Sequence, residues 1–118
     1  MGVGMPAALL LHEFGSQCIA MFGPYVYHVG SSLNEKSGWR DVDIRVILPD
    51  EEYAAMNLGA PGRPSQNAKW VSLCLAYSAL GKALTGLPID FQIQQQTRAN
   101  DEFDGARSFI GLVPFRCK

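Results

Sequence analysis

The sequence has little excess charge of either sign and few charged residues altogether. Lysine and arginine number 10 against 11 acidic residues, and 18% of the 118 residues are charged. With a net charge of -1, the chain is not expected to carry a strong nucleic-acid surface. A small nucleotide remains allowed, because a bound metal ion can supply the positive charge that the protein lacks.

Cysteine and long apolar runs are also scarce. The three cysteines, Cys18, Cys74 and Cys117, form no C-x-x-C pair, and only His12 and His28 are available to complete a soft-metal site. A zinc centre is therefore not expected, and reduced thiols of a cytoplasmic protein are the simpler interpretation. The apolar start of the chain is too short for a membrane span, and without a basic segment it does not have the pattern of a signal peptide.

The composition is that of a folded chain. Hydrophobic residues make up 47% of the sequence, and the length suits one domain over residues 1–118 with a core of ordinary size. Periodicity predicts helices over 6–21, 50–57 and 66–85, and strands over 25–29, 41–48 and 89–94. Residues 58–64 and 96–108 are predicted to be loops, and residues 109–115 an edge strand or a covering flap.

Both long helices are predicted from apolar residues at helical spacing. In the first helix these residues are Leu10, Phe14, Cys18 and Met21. In the last helix they are Trp70, Leu73, Tyr77, Leu80 and Leu84, which are interpreted as core. Ser65 is predicted to cap the start of the last helix, and Gly86 to end it.

The candidate chemistry begins with two aspartates in one predicted strand. From Asp41 to Leu48 the sequence alternates, so that Asp41, Asp43 and Arg45 share one face and the apolar residues share the other. The two carboxylates are about 7 Å apart along that face. Unpaired carboxylates at this spacing repel one another, and Mg²⁺, which prefers carboxylate, water and phosphate oxygens, would relieve the repulsion.

A third aspartate and a glycine turn complete the pattern. Asp90 lies in a second alternating run, on the same face as Gln92 and Gln94. If the two strands are neighbours, two metal ions can bridge the three acids. Gly30 precedes the first acids by eleven residues, and a glycine there lets the backbone approach a phosphate group closely. The following amides and the hydroxyls of Ser31 and Ser32 are then candidate phosphate donors.

These motifs resemble those of the nucleotidyltransferase superfamily related to DNA polymerase β, most closely its small single-domain members, the minimal nucleotidyltransferases. The matching segments are Val29-Gly30-Ser31, Asp41-Val42-Asp43-Ile44 and Ile89-Asp90-Phe91. The resemblance covers residues 8–95 in the order of elements, and leaves residues 96–118 as a C-terminal extension. It implies an α/β fold of the α+β kind, the nucleotidyltransferase fold, with helices packed against a mixed β-sheet.

The resemblance also implies an activity, the transfer of a nucleoside monophosphate from a nucleoside triphosphate such as ATP to a hydroxyl. Asp41 and Asp43 would bind both metal ions, Mg²⁺ or Mn²⁺, and Asp90 would bind the ion that activates the acceptor. Gly30 and Ser31 would hold the β- and γ-phosphates. The chain lacks the second helical domain that larger members use for acceptor recognition, so the acceptor and the base are left open.

Basic residues near the motifs are the less specific candidates. Arg45 shares the face of the acids, Lys36 and Arg40 flank the turn, and Lys69 begins the last helix, where some family members place a triphosphate-binding lysine. Arg45 and Lys69 are taken as candidate nucleotide ligands. Each of these cations has a second interpretation, as a surface charge or as a partner of the acids.

Two other functions remain open at this stage. Small members of the superfamily are often the antitoxin half of a toxin–antitoxin pair, which implies a helical, toxin-like protein partner. A nucleotide-binding protein without turnover is the other alternative. A homodimer is also left open, and the segment 96–118 would close over the site, exchange between copies or extend the sheet.

Overall fold

The computed structural model describes residues 3–35, 38 and 40–111. Lys36, Cys117 and the end of the expected edge segment, 112–115, lie outside the described residues. The helices are α1 (Ala7–Phe22), α2 (Ser31–Asn34), α3 (Asp50–Ala55), α4 (Ala68–Thr85) and α5 (Gln96–Glu102). The strands are β1 (Val26–Val29), β2 (Val42–Leu48), β3 (Ile89–Gln95) and β4 (Ser108–Phe109), and a 3-10 turn spans Pro64–Gln66.

The strands form one sheet in the order β3-β2-β1-β4. Strands β2 and β3 are parallel, whereas β1 is antiparallel to both of its neighbours, β2 and β4. The long helix α4 makes the crossover between the parallel strands, as a parallel pair requires. The expected mixed sheet with helices packed against it is confirmed.

Strand alternation gives the sheet one apolar face and one polar face. In β2, Val42, Ile44 and Val46 are fully buried, while Asp43 and Arg45 between them are half-buried. The apolar face packs against α1 and α4, which also contact each other. One core cluster therefore lies between the sheet and these two helices, and the polar face is left for the site.

Helix α1 buries a different stripe from the predicted one. The buried side chains are Leu11, Phe14, Cys18 and Phe22. Leu10 and Met21, which belong to the predicted apolar stripe, are exposed. Neighbouring positions differ by about 100° around a helix, so each end of the true stripe lies one residue later than predicted.

The predicted core stripe of α4 is correct only over its first half. Trp70, Leu73 and Tyr77 pack against the core. Leu80 and Leu84 are instead 38% and 39% exposed. Gly81 faces the sheet in their place: a Cβ at this position would lie 2.9 Å from Ile89 and 3.0 Å from Phe14. The missing side chain lets the helix approach the sheet closely at Gly81, and Leu80 and Leu84 lie outside this contact.

The two ends of α4 depend on local side chains. The predicted cap at Ser65 is wrong, because Ser65 lies in the 3-10 turn and Asn67 is the N-cap residue. The Asn67 Oδ1 atom accepts a hydrogen bond of 2.9 Å from the amide of Trp70. The predicted end is confirmed, since Gly86 adopts the left-handed conformation with φ 74°.

The segment that follows β3 is a helix, α5, and the loop predicted over its length is wrong. The side chain of its N-cap residue, Gln95, makes no capping hydrogen bond. Asp50 does so from the start of α3: its carboxylate accepts hydrogen bonds from the amide and the hydroxyl of Thr97. Arg98 and Glu102 add an ion pair one turn apart. The cap comes from 47 residues away, so local sequence could not reveal it.

Helix α4 also covers the free edge of β3. The indole N–H of Trp70 donates to the carbonyl of Ile93 at 2.8 Å, and the amide of Phe91 donates to the Ser78 hydroxyl at 2.9 Å. The Ile93 backbone also hydrogen-bonds the thiol of Cys74. These side chains, four residues apart on one helix face, satisfy backbone groups that an edge strand otherwise leaves unpaired.

The described part of the C-terminal extension completes the other edge of the sheet. Strand β4 pairs with β1, and Ile110 is buried beyond it. The chain then crosses α1 where two glycines meet: a Cβ on Gly15 would lie 2.7 Å from the amide nitrogen of Gly111. Among the described helices, none combines the length and the hydropathy that a membrane crossing requires.

Candidate metal centre

The site is built on the parallel pair of β2 and β3. Asp43 and Asp90 are register partners in this pair, and both side chains leave the polar face of the sheet. Each is half-buried. The expected convergence of acids from two strands is therefore present, and the register of the sheet fixes it.

Asp41 joins them from the residue just before β2. It is exposed, and one carboxylate oxygen from each of Asp41, Asp43 and Asp90 lies within 4.8 Å of the others. A Mg²⁺ ion holds its ligands at about 2.0–2.1 Å, so two oxygens on one ion are at most about 4 Å apart. Small side-chain rotations would close this difference. Three hard oxygen donors at this spacing suit a hard divalent cation.

Arg45 is the counter-charge of the acids. Its guanidinium lies 3.4 Å from a carboxylate oxygen of Asp90 and 4.0 Å from one of Asp43. It also donates to the backbone carbonyls of Asp90, at 2.7 Å, and Ile44, at 3.1 Å. The structure thus places Arg45 beside the predicted metal ligands and binds it to them. Its assignment as a nucleotide ligand stays a prediction.

The electrostatics of Asp43 reflect this crowding. Burial raises the pKa of the Asp43 carboxyl above its ordinary value, and the negative charges of Asp90 and Asp41 raise it further. The positive charge of Arg45 acts in the opposite direction and does not compensate fully. The ionised form of Asp43 is therefore disfavoured, and a cation bound to the three carboxylates would favour it.

Gly30 lies against the Asp43 carboxylate. It precedes α2 with φ 80° and ψ -167°, a conformation that only glycine adopts readily. A Cβ at this position would lie 2.3 Å from Asp43 Oδ2. Glycine is required here both by its backbone conformation and by its contact. The turn consequently brings backbone directly beside the acids, as the sequence predicted. Its binding of phosphate stays a prediction.

The two serines after Gly30 have different surroundings. Ser31 is exposed, and as the first residue of α2 its amide has no carbonyl within the helix to bind. Ser32 is fully buried, and its hydroxyl lies 2.7 Å from Nε2 of His28. The Ser32 side chain thus supports the turn from inside, which leaves Gly30 and Ser31 as the candidates that face solvent.

His28 is the support of the turn that the sequence did not identify. It opposes Ile44 in the sheet, so it belongs to the apolar face, and it is fully buried. Its Nδ1 atom has no hydrogen-bond partner among the described residues. Burial lowers the pKa of His28 from 6.5 to about 4. A neutral imidazole is therefore built into the fold directly below the glycine turn.

Lys69 is not brought to the acids. Its Nζ donates to the carbonyl of Met56 at 2.6 Å, in the loop after α3. Its neighbour Trp70 bonds Ile93, near the end of β3, whereas Asp90 is near the start of that strand. The structure thus separates Lys69 from the acidic cluster. Arg40 is exposed just before Asp41.

The polar face continues past the acids into a cavity that the sequence did not predict. Gln92 and Gln94, which alternation places on the face of Asp90, line it together with Trp70 and Arg98. The glutamines were visible in the sequence as members of that face. The cavity was not, because its other walls come from α5 and from the loop around Pro61.

Comparison of the chain with protein-family models, with curated proteins and with solved structures gave no match.

Proposed function

We propose that this protein is a metal-dependent nucleotidyltransferase that transfers a nucleoside monophosphate from a nucleoside triphosphate to a hydroxyl. The observation that carries the proposal is the meeting of three carboxylates, from two neighbouring strands, beside a glycine turn. Asp41, Asp43 and Asp90 offer oxygens within 4.8 Å of one another, and the Gly30 backbone lies against Asp43. The motif resemblance agrees with this geometry.

Asp41, Asp43 and Asp90 would hold two Mg²⁺ or Mn²⁺ ions. When bound, such ions neutralise the phosphate charge and lower the pKa of an acceptor hydroxyl. The amides that follow Gly30 would orient the β- and γ-phosphates. The acceptor oxygen bonds to the α-phosphorus, and the bond from that phosphorus to the oxygen bridging the β-phosphate breaks. The products are the nucleotidylated acceptor, pyrophosphate and the hydroxyl proton, which leaves on the side of Asp90.

Arg45 would prepare the site before ligands arrive. Its guanidinium contacts Asp43 and Asp90 from one side, and its bonds to two backbone carbonyls hold it in place. It therefore reduces the repulsion between the acids without supplying a metal ligand. Its removal should change metal binding less than the removal of a carboxylate.

Calorimetry with ATP, GTP, CTP and UTP in the presence of Mg²⁺ tests the proposal. At least one triphosphate should bind, and Asp43→Ala should weaken the binding at least tenfold, which is about 1.4 kcal/mol. Asp104→Ala is the matched control, because Asp104 is an exposed acid away from the cluster. If no triphosphate binds, or if both variants behave alike, the proposal is wrong.

Turnover separates the transferase from a nucleotide-binding protein without activity. Release of pyrophosphate that requires an added acceptor would support the transferase. Tight triphosphate binding with no release across varied acceptors would favour the binding protein.

The need for cellular nucleoside triphosphates and the two buried free thiols, Cys18 and Cys74, are consistent with a cytoplasmic protein.

A second candidate, the antitoxin-type interaction protein, is favoured by the outer surfaces of α1 and α4. These helices pack side by side and leave large apolar side chains exposed. On α1 they are Leu9, Leu10 and Met21, and on α4 they are Leu75, Leu80 and Leu84. Exposed apolar groups of this kind mark protein–protein contacts when they are contiguous.

Co-expression with the product of the neighbouring gene tests this second candidate. A helical protein that co-purifies with the wild type should be lost with Leu75→Lys and retained with Asp43→Ala. Sedimentation of the chain alone would reveal a homodimer. Failure to bind the neighbouring product would remove the candidate, and it would leave the nucleotidyltransferase proposal untouched.

A further inference from the structure

A cavity of about 170 Å³ opens beside the second half of β3. The residues that matter for its chemistry are Trp70, Gln92, Gln94, Arg98 and Glu102. One water occupies about 30 Å³ in the liquid, so this volume corresponds to roughly six waters. The cavity therefore has room for a single ring.

The cavity is joined to the acids by the polar face of the sheet. Gln92 follows Asp90 on the same face of β3, two residues and about 7 Å further along. Arg45 is the register partner of Gln92, and its guanidinium contacts both the carboxylate and the carbonyl of Asp90. A continuous row of polar groups thus runs from the metal ligands to the wall of the cavity.

The order of the strands indicates whether the acceptor or the pyrophosphate lies on the β3 side of the acids. Gly30 follows β1, which lies on one side of β2, whereas β3 and the cavity lie on the other. In a two-metal displacement, the attacking and leaving oxygens are on opposite sides of the phosphorus. If pyrophosphate leaves toward Gly30, the attacking hydroxyl must approach from β3.

We propose that this cavity is the acceptor subsite and that it takes a neutral sugar ring whose hydroxyl is nucleotidylated. The inference rests on the proposed function. The cation and the anion in the wall, Arg98 and Glu102, are paired with each other, so the lining favours no net charge. An anionic polynucleotide would need a basic track, which this wall does not supply.

The remaining lining suits a polyhydroxylated ring. The side-chain amides of Gln92 and Gln94 bond no other described residue, and each offers donors and acceptors to hydroxyl groups. Trp70, which is half-buried, supplies apolar ring surface for the C–H groups of a sugar. The Trp70 indole is held in place by its 2.8 Å bond to Ile93, so the wall is formed before a ligand binds.

The test is an NMR titration of the full chain with Mg²⁺ and a non-hydrolysable nucleoside triphosphate analogue present. The probes are the methyl pyranosides of glucose, galactose and mannose, with adenosine and cytidine as phosphate-free nucleosides. At least one pyranoside should shift the Trp70 indole and the Gln92 amide signals, whereas the analogue alone should shift Gly30. With a hydrolysable triphosphate, mass spectrometry should then find that glycoside carrying one nucleoside monophosphate.

A pair of variants ties any such binding to the cavity. Gln92→Ala combined with Gln94→Ala should weaken the pyranoside at least tenfold and leave triphosphate binding within a factor of two. Gln17→Ala, an exposed glutamine on α1, is the matched control and should change neither. Equal pyranoside affinity in the double variant and the control would overturn the subsite.

The other outcomes separate this inference from the proposed function. If the triphosphate analogue shifts Gly30 and no pyranoside binds, the acceptor inference fails and the transferase proposal stands. If nucleosides bind the cavity and pyranosides do not, or if the analogue itself shifts Trp70, the cavity is a base pocket and the inference is wrong. If pyranosides bind and no triphosphate does, the cavity is a sugar site without an acceptor role, and both are wrong.

Discussion

The two faces of one sheet differ in what they contribute. On the helix-covered face of β2 and β3, Ile44 and Phe91 are almost completely buried. On the other face, the residues that precede them in the same strands, Asp43 and Asp90, are half-buried, and their negative charges repel each other. Because side chains of a strand alternate between the two faces, neighbouring residues contribute to the core and to the candidate site. Substitutions at adjacent positions should separate the two properties.

The largest stability effect is expected from Phe91→Ala. Phe91 is 1% exposed, and its ring lies 5.2 Å from that of Tyr77 and 5.7 Å from that of Phe22. Its truncation should lower the free energy of unfolding by about 3–5 kcal/mol. Gln92→Ala, the neighbouring change on the polar face, should cost within about 0.5 kcal/mol. Urea denaturation measures both, and similar losses would contradict the division between the faces.

The next largest effect concerns His28, a titratable residue of β1 that is fully buried on the apolar face. Its pKa is lowered from 6.5 to about 4. Between these two pH values the unfolded chain binds a proton at His28 and the folded protein does not. Stability is complete above pH 6.5 and decreases as the pH falls toward 4. Between pH 6.5 and 5 the loss should be about 2 kcal/mol.

A comparison of variants assigns this slope to the imidazole. His28→Gln removes the titrating group and should flatten the dependence of the unfolding free energy on pH. Ser32→Ala removes the hydrogen bond and keeps the imidazole, so its slope should match that of the wild type. A slope that persists in His28→Gln would show that another group is responsible.

The boundary between the faces is tested at Gly30. Alanine there would adopt φ 80° and ψ -167° and would place its Cβ 2.3 Å from Asp43 Oδ2. The strain should cost about 1–3 kcal/mol, and displacement of the carboxylate should weaken Mn²⁺ binding at least tenfold. Gly86→Ala is the control, because Gly86 has φ 74° and open space around it. It should lose stability and bind Mn²⁺ normally.

The sequence could predict what depends on strand alternation and short-range spacing. The period of two placed Asp43 and Asp90 on polar faces, and the order of elements allowed their strands to be neighbours. What it could not predict depends on distant contacts. The cap of α5 by Asp50 is an example, and so is the exposure of Leu80 next to Gly81, where the helix meets the sheet.

The same limit applies within the site. A lysine at the start of a helix is a common feature, and spacing alone could not show that the Nζ of Lys69 bonds the carbonyl of Met56. Its role as a nucleotide ligand stays a prediction. Ser32 and His28 are four residues apart, yet only burial shows that they bond each other rather than a ligand. Spacing predicted that the acids meet, because Asp43 and Asp90 share a register. The supporting contacts could be seen only in the packed structure.

The smallest stability effect, and the one of opposite sign, is expected for Asp43→Asn. Burial and the neighbouring acids raise the folded-state pKa of Asp43, so its contribution to stability is present at low pH and is lost as the pH rises through that pKa. At pH 7 without metal, the neutral amide should therefore make the fold slightly more stable. Added Mn²⁺ should reverse the order, because it stabilises the wild type and not the variant. Thermal unfolding with and without Mn²⁺ measures the crossing, and a variant less stable than the wild type in metal-free buffer would mean that Arg45 already neutralises the acids.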